Sequence, residues 1–127
     1  MNVGIRLLQV ATVYLLIGLV MGMVMAMTNN FSLTSVHAHI SLLGWTTMAL
    51  AGAVYILTPR CNQSVLAKLH FWGHNVGLPV MMGSLALYAY GVKSAEAVIA
   101  IGSTVVLISL VIFAINLFLN GGMERAR

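Results

Sequence analysis

The sequence predicts an all-α membrane protein built as a bundle of four transmembrane helices. Of its 127 residues, 61% are hydrophobic and only 6% are charged, whereas soluble domains have roughly 45–50% and 25%. The apolar residues fall into four runs of roughly 20 residues, the length that crosses the hydrocarbon core of a bilayer. Residues 1–127 are therefore expected to form a single transmembrane domain in contact with lipid.

Only short connections separate the four apolar runs. The predicted helices are Leu7–Met27, Val36–Leu57, Leu69–Tyr90 and Ala97–Leu119. The first run is longer than the apolar core of a signal peptide, which has roughly 7–15 residues, so we expect it to be retained as a helix. Because no connection is long enough to fold by itself, any chemistry is expected inside the bilayer or at its faces.

The positive charges indicate how the chain is oriented. Lys and Arg cluster at both termini and in the middle connection, at Arg6, Arg60, Lys68, Arg125 and Arg127, whereas the opposite side has only Lys93. The positive-inside rule then predicts that both termini are cytoplasmic. The net charge of +4 is interpreted as a topology signal, so no nucleic-acid partner is expected. Cys61 is the single cysteine, which excludes an intramolecular disulfide and predicts a free thiol.

Two histidines, His37 and His39, stand at the start of the second predicted helix, near the outer face. An ionisable residue is unfavourable in a membrane and suggests a function. At about 100° per residue the two side chains diverge by about 200°, so they cannot bind one ion from the same helix. The alternative is that both lie at headgroup depth, where water and the polar loop TNNFSLT satisfy them.

The third predicted helix contains His70 and His74, which lie four residues apart on one face. A metal or heme site is one interpretation. The alternative is that His70 is interfacial and His74 forms a hydrogen bond within the bundle. Helix rise places His74 roughly 15–20 Å deeper than the first histidine pair, so a second ligand for that pair must come from elsewhere.

A family resemblance appears in the string HAHISLLGWTTMALAGAVYILTPR and the HFWGHNVGLPVM segment that follows it. Together they resemble the catalytic subunit of the heme-copper oxidase superfamily, especially its C-type oxidase and nitric oxide reductase branch. They are more similar still to short four-helix proteins described as oxidase subunit I-like. The large subunit has twelve helices in three arcs, and the resemblance implies that this chain corresponds to one arc. A bacterial inner (cytoplasmic) membrane is the expected location.

In that family, an HxH pair on an equivalent helix holds two hemes on opposite faces. The resemblance therefore implies that His37 and His39 bind heme iron and that heme b is the cofactor, with copper less expected. Trp45, six residues beyond His39, is expected to flank the porphyrin or its propionates. His70 and His74 remain further cofactor-binding residues to be tested.

The missing axial ligand suggests an oligomer. Our hypothesis is that copies of the chain assemble as the arcs do, most simply as a homotrimer, so that His37 of one protomer and His39 of the next hold one heme. The expected function is electron transfer, with a quinol or a redox protein as partner. The chain lacks the histidine cluster for copper and the glutamate-rich iron site of the family, so oxygen or nitric oxide reduction by this chain alone is not expected. The alternatives are a copper or heme transporter or chaperone, a gas-binding heme sensor, and a structural or assembly subunit.

Overall fold

A computed structural model describes residues 1–122, in which every regular element is a helix and no strand occurs. The elements are α1 (Val3–Thr28), α2 (Thr34–His39), a π-helical segment (Ile40–Thr46), α3 (Thr47–Leu57), α4 (Pro59–Gln63), α5 (Val65–Ala89) and α6 (Ala95–Asn120). The elements α2, the π segment and α3 follow one another without a break. We call this continuous helix, Thr34–Leu57, the second span.

Three helices are long and apolar enough to cross a membrane, namely α1, the second span and α6. The prediction of an all-α chain with membrane-spanning helices is confirmed to that extent. Helix α5 has 25 residues but is more polar, because it contains Lys68, two histidines and Asn75, and it is not among the three. The cytoplasmic placement of the termini stays a prediction, and Arg125 and Arg127 lie outside the described residues.

Polar caps extend two of the helices beyond their apolar runs. Helix α1 begins at Val3, where the Asn2 side chain accepts a hydrogen bond from the Ile5 N–H at 3.2 Å. Helix α5 begins at Val65 instead of Leu69, and the Ser64 hydroxyl accepts from the Ala67 N–H at 3.1 Å. Such N-caps satisfy backbone donors that the first helical turn leaves unpaired. The early start of α5 moves His70 and His74 about one turn further into that helix.

The middle connection contains the short helix α4, which the sequence did not predict. Proline is favoured at the first helical position, and Pro59 begins this helix. Cys61 is fully buried and has a free thiol, as predicted. The Asn116 side chain of α6 donates to the Cys61 carbonyl at 3.1 Å and accepts from the Ser64 hydroxyl at 3.0 Å. Asn116 therefore fastens α4 to α6.

The same short helix is also fastened to α1. The Asn62 side chain accepts from the Gly4 N–H at 3.0 Å and donates to the Asn2 side chain at 2.9 Å. Helix α4 thus joins the first and last long helices at the end of the bundle opposite His37.

The long helices pair as two hairpins that approach closely at glycines. Helix α1 packs along the π segment and α3, whereas α5 packs along α6. A Cβ atom on Gly4 would lie 2.7 Å from the Gly52 carbonyl oxygen, and one on Gly102 would lie 2.8 Å from the Met81 nitrogen. Only glycine permits backbones to come this close.

Candidate functional site: two pairs of histidines

The π segment positions His74. At its end the Thr47 N–H donates to the carbonyl of Leu42, five residues back, before the four-residue pattern of α3 resumes. A change from five-residue to four-residue spacing leaves one carbonyl without a backbone donor, and such segments are frequent at functional sites. The next carbonyl, that of Leu43, accepts from His74 Nε2 at 2.9 Å. The π segment therefore provides the acceptor that fixes the His74 ring.

His70 and His74 form a fully buried pair, with their ring centroids 5.6 Å apart and the ring planes inclined by 68°. Tyr55 of α3 places its hydroxyl 3.0 Å from His70 Nδ1, and the Phe113 ring of α6 lies 5.2 Å from the His70 ring. The i, i+4 spacing brings the two rings together as predicted. His70 is fully enclosed, because side chains of α3 and α6 cover it, and its interfacial depth stays a prediction.

Each ring of this buried pair keeps one nitrogen without a hydrogen-bond partner, namely Nε2 of His70 and Nδ1 of His74. Their other nitrogens are engaged by Tyr55 and by the Leu43 carbonyl. A buried polar atom left unpaired costs about 1–3 kcal/mol. The pair is therefore an incompletely satisfied polar site inside an apolar core.

His37 lies against α1. A Cβ atom on Gly22 would be 3.1 Å from His37 Cε1, and one on Gly18 would be 3.3 Å from the Ser41 hydroxyl. The two glycines, four residues apart, thus form the face on which α1 meets the second span. His37 Nδ1 is buried without a partner, which leaves Nε2 as the more accessible nitrogen of this half-buried ring.

His39 is half-buried like His37 but differs in its hydrogen bonding. Its Nδ1 lies 2.7 Å from the carbonyl oxygen of Ser35. A carbonyl only accepts, so Nδ1 carries the proton and the neutral ring keeps a lone pair on Nε2. His37 faces α1 whereas His39 bonds to its own helix, in agreement with the divergence that the spacing predicts.

The His74 ring lies closer to His39 than helix rise predicts. Leu43, whose carbonyl it reaches, is only four residues from His39, or about 6 Å along an α-helix. The prediction of roughly 15–20 Å assumed that α5 begins at Leu69, whereas it begins four residues earlier, which accounts for about 6 Å of the difference. Among residues 1–122, however, no three His, Cys, Asp or Glu side chains are grouped closely enough to hold a metal ion.

Trp45 lies in the π segment, half-buried, and packs against the apolar core. Its predicted place beside a porphyrin stays a prediction. Tyr55 and the Leu43 carbonyl are parts of the buried site that the sequence did not predict. The one available signal was a tyrosine inside an apolar helix, since a buried tyrosine usually finds a hydrogen-bond partner.

The described residues form an all-helical protein with three helices apolar enough to span a membrane. Two of its histidines, His70 and His74, are buried in the helical core. No family model, curated protein or solved structure matches the chain. The resemblance to the heme-copper oxidase subunit therefore rests on the sequence motifs alone.

Proposed function

We propose that the protein is a heme b-binding integral membrane protein that transfers electrons. Four helices span the bilayer, with both termini cytoplasmic, and the chain forms a homo-oligomer, most simply a trimer. His37 of one protomer and His39 of the next would hold each heme. The observation that carries this proposal is that the Ser35 carbonyl fixes the His39 proton on Nδ1 and so leaves the lone pair of Nε2 for a ligand. The chain has four histidines, and both remaining ones, His70 and His74, are enclosed in the core.

The two half-buried histidines, His37 and His39, would suit ligation of heme iron. The Ser35 carbonyl holds the proton of His39 on Nδ1, so that Nε2 presents its lone pair. A hydrogen bond from the second ring nitrogen to a carbonyl is the usual arrangement behind a metal-bound histidine. Gly22 leaves space for the His37 ring, whose Nδ1 is the buried nitrogen. Both rings therefore offer Nε2.

Heme with two histidine ligands supplies one-electron redox chemistry and has no open position for a gas. The protein residues orient the ligands and limit the access of water. The Ser41 hydroxyl donates to the His37 carbonyl at 2.9 Å, which adds a hydrogen bond to the first turns of the second span. Because a heme with two histidine ligands has no open position, we favour electron transfer, with a quinol or a redox protein as partner, over oxygen or nitric oxide reduction.

The proposal is tested on protein purified in detergent, by a pyridine hemochrome assay and a redox titration of the visible spectrum. We expect about one heme b per protomer in a closed ring. His37→Ala and His39→Ala should each remove most of the Soret absorbance. His70→Phe is the matched histidine control and should leave the Soret band unchanged. Protein without heme, or a Soret band that is unaffected in both alanine variants, would contradict the proposal.

A further inference from the structure

The pair formed by His70 and His74 has a chemistry that heme binding at the other two histidines does not use. Both side chains are fully buried, and each has one ring nitrogen without a partner. We propose that His70 Nε2 and His74 Nδ1 form a two-coordinate site for a soft monovalent metal ion, of which Cu(I) is the biological example.

The protonation state of His74 is fixed by its surroundings. The Leu43 carbonyl accepts from Nε2, so a neutral ring has its lone pair on Nδ1, the nitrogen that faces the core without a partner. The Tyr55 oxygen can accept from His70 Nδ1 in the same way, which places the lone pair of that ring on Nε2. Both rings then have the outer hydrogen bond that typically orients a metal-bound histidine.

The arrangement of the rings suits one shared ion. The two residues are one turn apart on α5, and their ring centroids are separated by 5.6 Å. Two metal–nitrogen bonds of about 2.0–2.1 Å that meet at one ion place the nitrogens at most about 4 Å apart. Imidazoles at this centroid distance can present nitrogens at that separation.

The surroundings select the class of ion. Glu96 is the only acidic residue within 1–122, and it stands in the first turn of α6, whereas Phe113, near the other end of that helix, contacts His70. The Cys61 thiol is directed to the Asn116 carbonyl at 3.5 Å. Two neutral nitrogens do not compensate the double positive charge of a divalent ion in an apolar core, since a buried charge without partners is strongly unfavourable. Imidazole is a good ligand for copper, and a monovalent copper ion brings less charge into the core than a divalent ion does.

The test is an anaerobic competition between detergent-purified protein and the Cu(I) chelator bathocuproine disulfonate. We expect the wild-type protein to take one Cu(I) per protomer and to bind no Zn(II), and X-ray absorption should show two nitrogen neighbours. His70→Phe and His74→Phe should each abolish this binding. Tyr55→Phe should weaken it about 10–100-fold, because the hydrogen bond behind the ligand is lost.

The matched control is Tyr90→Phe, which makes the same change as Tyr55→Phe at a residue that is 65% exposed and should leave Cu(I) uptake unchanged. Circular dichroism and gel filtration verify that each variant is folded. If His74→Phe fails to fold, His70→Phe decides the test, because it leaves the bond from His74 to Leu43 intact. Failure of the wild-type protein to compete for Cu(I), as expected if a water bridges the rings, would overturn the proposal. Cu(I) uptake by folded His70→Phe equal to that of the wild-type protein would also overturn the proposal. Heme content is measured separately and does not enter the result.

Discussion

At the scale of single residues, the four histidines differ in the hydrogen-bond partners of their ring nitrogens. His39 is half-buried and has a carbonyl partner for Nδ1, whereas His37 lies in a glycine-lined contact with α1. The other two are enclosed between aromatic rings and the irregular turn of the second span. These differences make the two pairs separable by point mutation.

Gly22→Ala tests whether the contact with α1 fixes the His37 ring. The new Cβ atom would lie 3.1 Å from His37 Cε1, which is tighter than ordinary contact, so the ring must shift by a few tenths of an ångström. We expect a loss of heme content with little change in helicity, measured by the Soret absorbance and circular dichroism. The control is Gly83→Ala, which meets no atom within 4 Å. Equal heme content in both variants would show that the position of His37 is not critical.

Tyr55→Phe tests the hydrogen bond in the buried pair. The substitution removes the hydroxyl 3.0 Å from His70 Nδ1 and leaves that nitrogen unpaired in the core. We expect a loss of about 1–3 kcal/mol in the free energy of unfolding. The measurement is denaturation in mixed micelles, followed by circular dichroism. Tyr90→Phe, at a residue that is 65% exposed, should change stability little. A similar loss in both variants would show that the loss does not come from this hydrogen bond.

At the scale of elements, α4 is the joint between the two helical hairpins. It is bonded through Asn62 to the start of α1 and through Asn116 to the end of α6. The contacts are polar and lie at one end of the bundle. Hydrogen bonds of this kind specify a particular geometry, because each buried partner must be matched.

Asn116→Ala should separate α4 from α6. Asn116 is fully buried, and its loss leaves the Cys61 carbonyl without its side-chain donor and the Ser64 hydroxyl without one acceptor. We expect a destabilisation of about 1–3 kcal/mol and faster reaction of the Cys61 thiol with a maleimide. Asn120→Ala is the control, since it removes only one partly buried bond to Asn116. Unchanged thiol reactivity in folded Asn116→Ala would contradict the role assigned to this joint.

The apolar runs predicted where the long helices lie, because length and hydrophobicity are local properties. Their ends were missed by a few residues where the caps Asn2 and Ser64 act beyond the apolar run. Helix α4 was missed because it depends on Asn116, which is 55 residues away from Cys61. The i, i+4 histidine pair was visible in the sequence. Its burial was not, because Tyr55 and Phe113 come from other helices.

At the scale of the whole molecule, the outer faces of α1 and α6 are apolar and exposed in the single chain. Lipid or neighbouring protomers can cover such faces. Our proposed ring places histidines of different protomers together. A head-to-tail interface of this kind uses two different surfaces and closes by rotation.

Co-expression of His37→Ala and His39→Ala chains tests the ring. A heme held by two protomers needs His37 from one and His39 from the next, so random mixing restores about a quarter of the wild-type heme. Each variant alone should have almost none, and equal amounts of each variant co-expressed with itself serve as the control. The measurement is heme per protomer together with native mass, which also gives the copy number. If mixing restores no heme, both ligands do not come from neighbouring copies.

The π segment also determines how the two ends of the second span are rotated relative to each other about the helix axis. Its wider turn adds the equivalent of one residue, and at 3.6 residues per turn this rotates everything that precedes it by about 100° relative to an unbroken α-helix. His37 and His39 precede the segment, whereas Tyr55 follows it. The directions in which His37 and His39 point around the helix axis are therefore rotated relative to the direction of Tyr55. A one-residue deletion between Ile40 and Thr46 would leave 23 of the 24 residues of the span, still enough to cross a bilayer, and would turn His37 and His39 toward different neighbours.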